Sequence, residues 1–182
     1  MQELRIYYGG ELANLYDVGY LSTDIYQLIA FSELLSQHKD NEVERWFGIG
    51  ARPFNRYATV LEKYRRSSDI REARSGSLEL VIASATLISS VIVPLIAIYI
   101  QKRLETPKSI SFEVSVKDPR LQHLLNMFAE GAFGHGARGI DQLFKELQER
   151  GYNVTLRAND AFVIHGTLEK YAQRMVRTIE RP

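Results

Sequence analysis

Between Leu80 and Ile100 the chain reads LVIASATLISSVIVPLIAIYI, 21 positions without a charged residue. As one helix, at about 1.5 Å per residue, this run is roughly 31 Å long, close to the hydrocarbon thickness of a bilayer. Arg71, Glu72 and Arg74 precede it, and Gln101-Lys102-Arg103 follow at once. Tyr99 stands near one end, where an amphipathic ring suits an interface. The alternative is a helix buried in a large core, and a chain of 182 residues has little other material with which to cover it on every side. The sequence therefore predicts a membrane-spanning helix over 77–104. A signal peptide is excluded, because Met-Gln-Glu-Leu-Arg lacks a basic start and an apolar core. Five basic residues on each flank leave orientation open.

The run is not uniformly apolar. Glu79, Ala83, Thr86, Ser90, Ala97 and Gln101 recur at spacings of three and four, with Val93 completing the stripe, so in a helix they share one face. In lipid such a face packs helices closely, and in a ring of helices it can line a path. Serine and threonine can equally bond back to their own helix. Pro94 removes a backbone bond and is expected to kink the helix near residues 90–94.

Residues 1–50 carry three basic against eight acidic side chains. Leu4 to Tyr8 reads as a strand closed by Gly9-Gly10, and Leu15 to Tyr20 as a second extended piece. Ser22 or Thr23 then caps a helix with Ile25, Leu28, Ile29, Phe31, Leu34 and Leu35. Tyr7, Tyr8, Tyr16, Tyr20, Tyr26, Trp46 and Phe47 either complete a core or stack on a ligand. Residues 51–75 reverse the sign, with seven basic against three acidic side chains. A basic juxtamembrane helix over 51–76 is expected, with Arg65 and Arg66 facing lipid headgroups or an anionic ligand.

After Thr106-Pro107 a second module is expected over 108–182. Ile110, Phe112, Val114 and Val116 alternate as a strand. Asp118-Pro119 opens a helix bearing Leu121, Leu124, Leu125 and Phe128. A second helix runs from Ile140 to Arg150 and stops at Gly151. Tyr152–Arg157 and Ala161–Ile164 read as strands joined through Asn159-Asp160, before a last helix from Thr167. The fold class predicted is α+β, two small soluble modules flanking one mid-chain transmembrane helix.

Signals for chemistry are sparse. Gly134-His135-Gly136-Ala137-Arg138-Gly139 fits G-x-G-x-x-G, but a helix precedes it where the dinucleotide fingerprint requires a strand. Free amides at the following helix start, beside His135 and Arg138, can hold a phosphate; a hinge between helices is the plainer reading. Arg138, His135, Lys145 and Arg157, with Arg65 and Arg66, are the ligand-contact residues expected. Lys170, Arg174, Arg177 and Arg181 form a basic stripe on the last helix. Usually such a stripe is a solvated face; in a multimer it can help hold an anionic ligand. His38, His123, His135 and His165 show no metal spacing. There are no cysteines, so thiolate sites and disulfides are excluded. No cofactor and no enzymatic activity are expected.

The span Leu80–Ile100, its basic flanks and the two flanking modules resemble the membrane effectors of bacterial anti-phage systems. The layout is most similar to the effector family of the Hailong system. That resemblance implies a homo-oligomeric, single-pass channel of the bacterial inner membrane, gated by a single-stranded oligonucleotide from a partner nucleotidyltransferase. Membrane lipid is the other partner expected. A non-conducting, membrane-anchored adaptor that binds protein partners is the alternative function.

Overall fold

The computed structural model describes residues 2–9, 15–48, 69–74, 77–84, 87–104, 111–157 and 159–180. In chain order these form β1 (Gln2–Gly9), α1 (Leu15–Ser36), α2 (Asp40–Phe47), β2 (Asp69–Arg74), β3 (Ser77–Ser84), α3 (Leu87–Arg103), β4 (Ser111–Val116), α4 (Pro119–Ala129), α5 (Gly136–Glu149) and α6 (Asp160–Ile179). The described chain is mostly helical, with one four-stranded sheet in the order β2-β3-β1-β4.

Every pairing is antiparallel, with Leu4 opposite Ile82 and Val116, and Ile6 opposite Leu80 and Val114. Because β3 and β4 both run against β1, they are parallel to each other, and α3 crosses over β1 to join them as a split β-α-β unit. Leu4, Ile6 and Phe112 are buried, while Glu113 and Ser115 are exposed, as a period of two requires.

The apolar run does not form one helix. Leu80–Ser84 belongs to β3 and only Leu87–Ile100 is helical, followed by three polar residues. That apolar stretch spans about 21 Å, well short of a hydrocarbon core. Among the described residues no helix is long and apolar enough to cross a membrane. The single-pass span over 77–104, and with it the channel, is therefore corrected. Val81 and Ile82 are β-branched and find partners on β1, so strand pairing wins where an apolar run has no helical period of its own.

Cover for α3 comes from the whole chain. It packs on α1, α4, α6 and three of the strands, and every residue from Ile88 to Ala97 is buried. α1 is similarly enclosed from Ile25 to Leu35, apart from Tyr26. Two helices enclosed nearly all round thus lie side by side at the centre, each covered by the other and by the rest of the chain. The division into modules on either side of a membrane is corrected too, since β1 from one end and β4 from the other are neighbours in one sheet.

Other expectations change locally. Leu15–Tyr20 is the start of α1, and Ala161–Ile164 is helical, so the expected C-terminal hairpin is absent. Tyr152–Arg157 has no regular structure. Residues 69–74 of the expected basic helix are strand β2. The rest of that expected helix, with Arg65 and Arg66, lies outside the described residues. The start of α4 matches the sequence: Asp118 caps it, accepting from the Arg120 amide at 2.9 Å, and Pro119 holds the first helical position.

Candidate functional site: the face of the first and last helices

Asp24 and Gln27 interrupt the apolar sequence of α1, and the reason lies on α6. Arg174 Nε donates to Asp24 Oδ2 at 2.9 Å, and its Nη2 also pairs with the same carboxylate. The Tyr171 hydroxyl donates to Gln27 Oε1 at 2.6 Å, and Arg174 Nη2 reaches that oxygen at 3.3 Å. The Arg174 guanidinium sits 5.2 Å from the centroid of the Tyr171 ring. Asp24 is only 1% exposed, so an unpaired charge there would carry a large desolvation cost. Burial pushes the Tyr171 phenol up and pulls the Arg174 guanidinium down, the latter opposed by Tyr20. These contacts run antiparallel, which sets the C-terminal half of α6 beside the N-terminal half of α1.

Beyond this network α1 emerges from the core. Leu15 is 86% exposed, Tyr16 58% and Tyr20 45%. The two tyrosine rings lie 4.5 Å apart at 51°, and Tyr16 OH donates to Tyr20 OH at 3.0 Å. One helical turn brings Tyr16 beside Tyr20, so the pair presents both ring surface and hydroxyls. Arg177, exposed on the next turn of α6 after Arg174, comes level with Leu21, next to Tyr20, along the antiparallel helices. Lys170 is exposed on the same stripe, and Arg181 lies outside the described residues.

The expected ligand residues are not brought together. His135 and Arg138 are exposed at the start of α5. Lys145 lies two turns on, along a solvated face that also carries Asp141 and Glu149. Arg157 stands elsewhere, paired with Asp40, in an open polar groove of about 450 Å³ lined also by His38, Lys39, Asn41 and Glu42.

The glycine cluster is a tight corner between α4 and α5. Gly131, Gly134 and Gly136 take φ of 81°, 82° and 70°. A Cβ on Gly139 would lie 2.5 Å from the Gly134 carbonyl oxygen, so the helix start is pressed onto its own approach. His165 of α6 fills the side of this corner, edge-on to Tyr99 at 6.0 Å.

The expected pore stripe is divided between two kinds of structure. Glu79 and Ala83 occupy β3 positions opposite Tyr7 and Glu3. Ser90 and Ala97 are buried in α3, and Gln101 is exposed at its end, bonded to the Phe112 carbonyl. Thr86 lies outside the described residues. Pro94 has no N–H to donate to the Ser90 carbonyl, and Ser90 Oγ is buried without a partner. Among the described residues no group of three His, Asp or Glu side chains could hold a metal.

Comparison with protein-family models, curated proteins and solved structures finds no match to this chain. No family or relative therefore supports ion conduction or anti-phage defence, and both expectations are withdrawn along with the span.

Proposed function

We propose that the chain is a binding and assembly module that docks a protein partner on the exposed end of α1. This keeps the adaptor reading of the sequence and drops its membrane anchor. The observation that carries it is the exposed, mutually bonded Tyr16–Tyr20 pair beside Leu15, on the same helix as the buried Asp24–Arg174 network. Tyrosine and arginine are enriched at interface hot spots, and tyrosine offers large contact area with only two χ angles to fix. A pair already in contact before binding lowers that entropy cost further.

Site-specific photo-crosslinking in the native host tests the reading. A crosslinker at Leu15 is expected to give one discrete protein adduct that Tyr20→Ser removes, while one at exposed Gln142 on α5 gives none. The same adducts from both positions, or no adduct from Leu15, would sink it.

One observation favours a second reading, an oligonucleotide. Arg177 comes level with Leu21, next to Tyr20, along the antiparallel helices, and base stacking on an aromatic ring beside a cation is how single strands are held without sequence preference. Under that reading the Leu15 adduct is nuclease-sensitive, and affinity for a short oligothymidine falls steeply with salt.

A further inference from the structure

Among the described strands β4 is an outer one, paired with β1 on one side. An outer strand presents a row of N–H and C=O groups on which another extended chain can add. In β4 that row belongs to Phe112, Val114 and Val116. The Val116 N–H donates to Gln122 Oε1 at 3.2 Å, and the Phe112 carbonyl accepts from Gln101 Nε2, so both groups are turned away from β1. Alternate residues of a strand share that orientation, which puts the N–H and C=O of Val114 on the same edge. Among the described residues nothing on that edge bonds the Val114 pair. The two glutamines come from the helices that flank β4 in the chain, Gln101 from the last turn of α3 and Gln122 from the first turn of α4. The Gln122 amide is held in one orientation: its Nε2 donates to Asn126 Oδ1 at 3.0 Å, one helical turn on, and this leaves Oε1 for the strand.

We propose that Gln101 and Gln122 guard the β4 edge, occupying its first carbonyl and its last N–H so that no extended segment adds to the sheet there. A carboxamide carries the same kinds of donor and acceptor as a peptide group. Gln101 therefore supplies the donor, and Gln122 the acceptor, that a neighbouring strand would bring. An incoming strand has to displace both, and the Val114 groups left between them make too short a ladder to hold it. Glu113 adds a charge next to Val114, but it points out of the sheet and leaves the edge itself unblocked. The need for guards lies in the strand, Ser-Phe-Glu-Val-Ser-Val, whose aromatic and β-branched residues favour pairing. Gln101, expected from the sequence at the mouth of a pore, thus acts on the backbone of the next strand. This device is independent of the Tyr16–Tyr20 reading, so either can fail without the other.

Sedimentation velocity of the full chain, comparing the parent with Gln101→Ala/Gln122→Ala over a range of concentrations, tests the proposal. In a purified sample the extended segment available to an unguarded edge is β4 of another copy. The double variant is expected to keep the parent's circular dichroism spectrum and to associate at concentrations where the parent does not. That association should slow amide exchange at Val114 about tenfold or more. Exchange in the unsubstituted chain gives a readout that does not depend on the variant's folding. There the Val116 amide, bonded to Gln122, should exchange about tenfold or more slowly than the Val114 amide, although both lie on one edge. Equal protection of the two amides overturns the proposal. So does a folded double variant that sediments as the parent does at every concentration, or an association that leaves exchange at Val114 unchanged.

Discussion

Arg174 and Asp24 are 150 positions apart, yet each makes sense only through the other. Removing the arginine strands a buried carboxylate. Arg174→Leu is accordingly expected to cost about 3 kcal/mol or more in urea denaturation, and the double variant Asp24→Leu/Arg174→Leu to recover most of that. A double variant as unstable as the single one would show that the network contributes more than charge pairing. Asp118 allows a test against pH. The Tyr152 hydroxyl donates to its Oδ2 at 2.6 Å and holds the carboxyl below the usual aspartate range, aided by the Arg120 amide. A depressed folded-state value means the stabilisation is present above the unfolded value, about 4, and is lost as pH falls through the folded one. The stability gap between the parent chain and Tyr152→Phe should therefore be full at neutral pH and shrink below about pH 4. A gap independent of pH would place the contribution of Tyr152 in packing instead.

At the scale of elements, the glycines separate two uses of the same residue. Gly139 lies where a Cβ would strike the Gly134 carbonyl, so Gly139→Ala should destabilise by about 1–3 kcal/mol. Gly166 lies inside α6, where an added methyl group would meet open space. Gly166→Ala should therefore stabilise by about 0.5–1 kcal/mol through helix propensity alone. Thermal denaturation of the two variants should move in opposite directions. The strand-like pattern of Tyr152–Leu156 is a third case. Its alternation correctly marks which side chains turn inward, but alternation gives burial and not pairing, and among the described residues no strand pairs with it.

Over the whole molecule, the sheet joins β1 and β4 across the sequence, and α3 fills the space between the sheet and the other helices. Unfolding should therefore be one transition. Trp46, the single tryptophan, reports from α2 near the start of the chain, whereas circular dichroism is dominated by all the helices. Coincident urea curves by the two probes are expected. An earlier fluorescence transition would mean that the N-terminal part folds apart from the rest, as the two-module expectation had it.

Local signals decided a good deal by themselves. The alternation of Leu4 and Ile6, the Asp118-Pro119 helix start, the apolar stripe of α4 and the stop at Gly151 depend on neighbours within a few residues. Short-range sterics and hydrogen bonding suffice for each. The acid in the middle of α1 was visible, but nothing in its surroundings pointed to Arg174, because a buried charge is satisfied by whatever the fold brings to it. The run from Leu80 to Ile100 shows the limit most plainly. Its length and lack of charge establish that it must leave water. Whether lipid or protein replaces the water depends on how many other apolar faces the chain can gather around it. Here α1, α6 and the sheet do so, and β1 takes the first residues of the run into strand pairing. Burial is a requirement that residues state one by one, whereas the cover that meets it is assembled from residues far apart in the chain.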